Sequence, residues 1–132
     1  MTLGAVQDSL LLEDIGHQIG TQLTRIGVHM NFAPVLDVNI NPDNPIIGNR
    51  SFGEDPERVS QQARFLMRGM QGAGILSTGK HFPGHGDTSV DSHKALPQIA
   101  YDRARLDSVE LRPFRDLIDA GLSSVMIAHL DV

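Results

Sequence analysis

Apolar residues recur at Ile15, Ile19, Leu23 and Ile26, with Glu13, Asp14, Gln18 and Arg25 among the intervening positions. That period predicts an amphipathic helix over 6–26, stopped by Gly27. The pattern then turns nearly continuous: Val28 through Val38 reads as a short buried strand that runs into a loop at Pro34. The polar stretch 39–53, rich in Asn, Pro and Gly, is a long loop, and loops of that length in compact domains are usually functional. Asp55-Pro56 restarts a helix with an N-cap and a first-turn proline, and Val59, Ala63, Leu66, Met67 and Met70 mark its buried face up to Gly72 and Gly74. A strand over 74–81 follows. A helical region over 102–120, with Leu106, Val109, Phe114, Leu117 and Ile118 as its core positions, is divided by Pro113 into two pieces and ends at Gly121. Another apolar strand begins at Ser123 and runs to Leu130.

Helix and strand alternate three times, which implies an α/β fold with a parallel sheet and right-handed crossovers. Three strands do not close a barrel, and a complete eight-stranded one takes about 250 residues. Residues 1–132 are therefore expected to be a section of a TIM-like (β/α)8 barrel domain, incomplete at both ends.

The 132 residues can bury one core of ordinary size, and 40% apolar residues with a net charge of −5 argue against disorder. The chain has no basic tract and few aromatics, so a nucleic-acid surface is not expected. It has no cysteine, which removes disulfides and thiolate chemistry, and no segment approaches the length of a membrane span.

Candidate chemistry concentrates in one place. The segment Lys80-His81-Phe82-Pro83-Gly84-His85-Gly86-Asp87-Thr88-Ser89-Val90-Asp91-Ser92-His93 places three of the six histidines in one turn-rich loop after a buried strand. Enzymes with α/β scaffolds present chemistry in such loops. His93 lies two residues after Asp91; a carboxylate that binds one imidazole nitrogen leaves the other free to give or take a proton. The competing reading of that pair is a solvated turn. Lys80 and His81 stand at the strand's end and have the chemistry to bind substrate hydroxyls, although Lys80 has an equal claim to an ion pair with a neighbouring carboxylate. Arg50 offers a planar fork of donors or a structural contact. His85 is a candidate second site residue for which a structural hydrogen bond within the loop is the favoured reading, and Asp37 has the location of a site carboxylate, with capping or bracing the long loop through backbone amides favoured. His129 and Asp131, at the end of the last strand, are candidates by location only. His81, His85, Asp87, Asp91 and His93 are all metal-ligand types, but they lack the spacing of a known zinc motif, and no metal or other cofactor is predicted.

Taken together, these residues resemble a known family. Lys80 to Thr88 followed by Asp91-Ser92-His93 is similar to the signature loop of the β-N-acetylglucosaminidases of glycoside hydrolase family 3. Asn31 to Val38 and Asn49-Arg50-Ser51-Phe52-Gly53-Glu54-Asp55 resemble two further blocks of that family in the same order, and the similarity extends to Ala128-His129. The resemblance implies a TIM-like barrel and retaining hydrolysis of terminal β-N-acetylglucosamine, with peptidoglycan- or chitin-derived saccharides as substrates. It implies that His93 is the general acid/base with Asp91 as its partner, and that Arg50, Lys80 and His81 hold the sugar. The family's nucleophile is an aspartate on a later strand, so Asp131 is not expected to fill that role and the isolated chain is expected to be inactive. Two other readings stand beside this one: a family 3 β-glycosidase or phosphorylase with another sugar preference, and a sugar-binding remnant without catalysis. Neither compartment nor oligomeric state follows from the sequence.

Overall fold

In the computed structural model, which describes residues 3–88 and 101–131, four helices and three strands follow one another in the expected alternation. Helix α1 is Ser9–Arg25, strand β1 Met30–Asn31, helix α2 Pro56–Gly72 and strand β2 Leu76–Phe82. Helices α3 (Arg103–Ser108) and α4 (Arg112–Asp119) precede strand β3, Ser124–Ile127. The sheet is parallel with spatial order β1-β2-β3, so each crossover carries at least one helix. The α/β reading therefore holds.

Local signals set the helix boundaries. Asp8 caps α1, its Oδ1 accepting from the amides of Leu10 and Leu11, and this starts the helix later than the apolar period alone implied. Asp55 and Asp102 cap α2 and α3 in the same way. The break in the third helical region falls at 109–111, and Pro113 sits in the first turn of α4, where its missing N–H costs nothing. Gly27, Gly74 and Gly121, each with positive φ, follow the ends of α1, α2 and α4.

Two helix faces differ from expectation. The side of α1 turned to the core is Leu12, Gly16 and Gly20, with Ile15, Ile19 and Leu23 at its border, while Ile26 is 75% exposed. Ile118 is likewise exposed, and Phe114 and Leu117 fill the core from α4. The α1 register follows from how closely it meets α2: a Cβ on Gly16 would lie 2.3 Å from the Leu66 carbonyl oxygen, and one on Gly69 would lie 2.0 Å from that of Glu13. All five predicted core residues of α2 are buried.

Strand β1 is shorter than predicted. Its regular ladder pairs Met30 with Leu76 and Asn31 with Ser77 only. Pro34 has no N–H to donate, and the Ala33–Pro34 peptide is cis. The chain nevertheless continues beside β2: Thr78 and Lys80 donate to the carbonyls of Ala33 and Pro34, and Leu36 donates to that of Lys80. On the other side of β2, Lys80 pairs with Met126 and Phe82 with Ile127, so His81 is the extra residue of a bulge. Phe82 meets Phe114 edge-on, with ring centroids 5.3 Å apart, which ties the end of β2 to α4.

Candidate active site

The site is organised by Asp37, a residue with no exposed surface just beyond the segment that tracks β2. Its Oδ1 accepts from the His85 amide at 2.7 Å, and both of its oxygens lie 3.3 Å from the His81 amide. Its Oδ2 lies 2.7 Å from Nδ1 of His81. A buried carboxylate is tolerated only when donors surround it, and here three donors do so, all from the histidine loop. Asp37 is thus a brace acting through backbone amides, as expected, but it braces the histidine loop and not the 39–53 loop.

The same carboxylate fixes the orientation of the His81 ring. Nε2 of His81 faces Nη2 of Arg50 at 3.4 Å, and a guanidinium can only donate. In the neutral ring this leaves Nδ1 as the N–H directed at Asp37 and Nε2 as the acceptor. Arg50 is anchored from the other side, its Nη1 donating to the Ile46 carbonyl at 3.1 Å. Lys80 precedes His81, with the intervening peptide cis. Its pKa is lowered, first by burial and then by the charge of Arg50, with Asp37 opposing. Among the described residues Lys80 has no ion-pair partner within 4.0 Å. Arg50, Lys80 and His81, chosen from sequence as a set, do converge.

The 39–53 loop forms the wall of this site. Asn44 donates to the His85 carbonyl at 2.7 Å and accepts from the amides of Ile46 and Ile47, which folds the loop onto the histidine segment. Ser51 links the loop to the hub, its hydroxyl lying 2.6 Å from the Asp37 carbonyl and 2.9 Å from that of Gly53. Gly86 passes so close to this wall that a Cβ there would lie 1.9 Å from the Val38 carbonyl oxygen. Asn44 and Ser51 were missed in the sequence, where nothing distinguishes them from other polar loop residues.

His85 is buried, with Nδ1 2.5 Å from the Thr88 hydroxyl. That hydroxyl also lies 3.1 Å from the His85 carbonyl, so it donates there and accepts from the ring N–H. The residue is structural, as read from sequence. Asp87 is engaged by Tyr101 and Arg105. Asp91 and His93, the predicted acid/base pair, lie outside the described residues. His129 and Asp131 follow β3 and are exposed, and His129 makes no described contact with the Asp37 hub. Among the described residues no three His, Asp or Glu side chains converge as metal ligands, and no helix is long and apolar enough to cross a membrane.

The surface hollow of about 260 Å³ lined by Pro34, Val35, Asn49 and Arg50 adjoins the hub. A larger one of about 460 Å³, between the starts of α1 and α2, contains none of the predicted site residues.

Comparison with known proteins supports this geometry with a family. Residues 1–132 match the glycosyl hydrolase family 3 N terminal domain along their whole length. The chain is 41% identical over 134 residues to beta-hexosaminidase A of Pseudoalteromonas piscicida, covering 98% of this chain and 22% of that protein. It superposes with a TM-score of 0.96 and 50% identity on a glycoside hydrolase family 3 beta-N-acetylglucosaminidase from Paenibacillus, covering 99% of this chain and 25% of that one. NagZ from Neisseria gonorrhoeae, solved in complex with N-trifluoroacetyl-D-glucosamine, gives a TM-score of 0.88 at 37% identity, covering 93% of this chain and 36% of that one.

Proposed function

The chain belongs to glycosyl hydrolase family 3, within its N-terminal domain, and from that premise we propose that the protein of its relatives' full length hydrolyses terminal β-N-acetylglucosamine residues from saccharides. The observation that carries this reading is the run of contacts from Arg50 to His81 to a fully buried Asp37 at the end of β2, with Lys80 close enough to feel the charges of Arg50 and Asp37. The names of the relatives point to the same sugar class.

The chemistry suits that task. A guanidinium, an ammonium and an oriented imidazole offer directed donors and an acceptor to sugar hydroxyls and to an acetamido group, and Asp37 prevents His81 from turning away. In a retaining displacement one carboxylate attacks the anomeric carbon while an acid protonates the departing oxygen, and that acid then serves as base toward water. We assign the acid/base role to His93, with Asp91 as its partner, because the two close the histidine loop in the pattern that resembles the family's signature. The attacking carboxylate is assigned to a later strand of the longer domain, and the 132-residue chain alone is proposed to be without turnover. Peptidoglycan- or chitin-derived fragments are the proposed substrates.

Hydrolysis of an aryl N-acetyl-β-glucosaminide by the full-length protein, with and without His93→Ala, tests this. Turnover that falls by about a hundredfold or more in the variant is the expected result. Equal turnover by parent and variant would remove His93 from the mechanism, and a parent without activity would remove the substrate class.

A further inference from the structure

A second cluster, separate from the Asp37 hub, joins the two flanks of the segment that carries Asp91 and His93. Tyr101, directly after that segment, donates its hydroxyl to Oδ2 of Asp87, just before it, at 2.5 Å. Nη2 of Arg105 lies 3.5 Å from the same Asp87 oxygen and 3.1 Å from Oε1 of Glu110, and its guanidinium stacks 4.6 Å from the centre of the Tyr101 ring. Glu110 is itself buried beneath the histidine loop, where a Cβ on Gly84 would lie 2.9 Å from its own Cβ. One ion-pair network thus connects α3, the α3–α4 turn, the histidine loop and both ends of the 89–100 segment.

We propose that Asp87, Tyr101 and Arg105, with Glu110 beneath them, form a clasp of positioning residues for the acid/base pair. The inference rests on the assignment of His93 and Asp91 made above. Holding residues 87 and 101 together shortens the closure that the intervening thirteen residues must make. Asp91 is only four positions beyond the clasped Asp87, so the clasp fixes one end of the short path to His93. None of the four residues is assigned a contact with the sugar. Their loss should therefore act on proton transfer and leave the sugar-holding trio of Arg50, Lys80 and His81 unaffected.

Leaving groups separate these effects, because an alkoxide needs protonation in the transition state far more than a stabilised phenolate does. In the full-length protein, Tyr101→Phe deletes only the clasp hydroxyl, and Asp87→Asn keeps an acceptor for it while weakening the ion pair. The expected result for Tyr101→Phe is a kcat reduced roughly ten- to a hundredfold on an alkyl N-acetyl-β-glucosaminide, a smaller loss on an aryl one, and unchanged affinity for N-acetylglucosamine. Asp87→Asn should fall between parent and Tyr101→Phe on the alkyl substrate. Equal kcat losses on both substrates, no loss on either, or a weakened N-acetylglucosamine affinity would overturn the clasp. An unfolded Tyr101→Phe protein would also overturn it, since it would make the cluster a folding element. A parent that turns over neither substrate overturns the glycosidase reading itself, which the parent assay reveals before any variant is made.

Discussion

The histidine loop is held at two places by different means. Near its start, one fully buried carboxylate, Asp37, gathers the amides of His81 and His85 and the His81 ring. Farther along, Asp87 is held by Tyr101 and Arg105, which are 42% exposed and partly exposed respectively, with only Glu110 buried. A buried ion with every donor in place tolerates little displacement, because any movement leaves a charge unpaired in low dielectric. A half-solvated network can exchange partners with water at small cost. The proposed sugar-holding side chains therefore sit on the rigid attachment, and the proposed acid/base pair follows the adjustable one.

The contrast predicts very unequal costs of disruption. Asp37→Ala should be the most damaging change, destabilising the full-length protein by about 3–5 kcal/mol in denaturant unfolding, because it strips three donors of their buried partner. A loss below about 1 kcal/mol would place the hub in the same class as the clasp.

Lys80→Met should separate binding from folding at the rigid site. It is expected to weaken N-acetylglucosamine binding by roughly ten- to a hundredfold, as loss of a charged hydrogen bond does. Stability should hold or rise. Burial and Arg50 lower the Lys80 pKa, so the charged amine is disfavoured in the folded state. Sign follows from linkage: below its lowered folded value the lysine's charge opposes folding, and that penalty is relieved as pH rises from there towards the unfolded value of 10.5. Melting curves between neutral and alkaline pH should show the parent gaining on Lys80→Met.

Glu110→Gln tests the buried member of the clasp. Burial raises the Glu110 carboxyl above its ordinary value of 4.5, with Arg105 opposing. A raised folded value favours folding fully below 4.5, and that contribution is lost as pH rises through the folded value. Stability of the parent relative to Glu110→Gln should thus decline with rising pH from about 4.5 upward. A difference independent of pH would show that Glu110 keeps its unfolded pKa. Tyr101→Phe should be the mildest, costing about 0.5 kcal/mol in unfolding, since its hydroxyl can bond water instead. A larger loss would mean that the clasp is as structural as the hub.

Much of the architecture could be read from sequence because its causes are local. Asp55 acts on an amide three residues away, and Gly27, Gly74 and Gly121 end helices by their own backbone freedom, whereas the equally local caps Asp8 and Asp102 were not recognised. The α1 face was misread because the close approach of Gly16 to Leu66 has no apolar side chain to announce it. Ile26 and Ile118 show the converse, fitting the period and facing outward. In the site, Arg50, Lys80 and His81 were nominated by their position and chemistry and then joined as a set by the resemblance of three ordered blocks. The organising role of Asp37 was not, because its donors lie 44 and 48 residues further along the chain. Asp87, Tyr101, Arg105 and Glu110 likewise carry no shared local pattern.

The long reach of Asp37 also sets an order of events during synthesis. The chain emerges from the ribosome N-terminus first, so Asp37, Ser51 and α2 all appear before the amides that will neutralise the carboxylate. Until residue 85 has emerged, Asp37 has no reason to leave water, and the corner proposed to hold the sugar cannot be assembled around it. Completion of that corner is therefore tied to the emergence of one short stretch of chain, and the clasp can close only after residues 101–110 have followed.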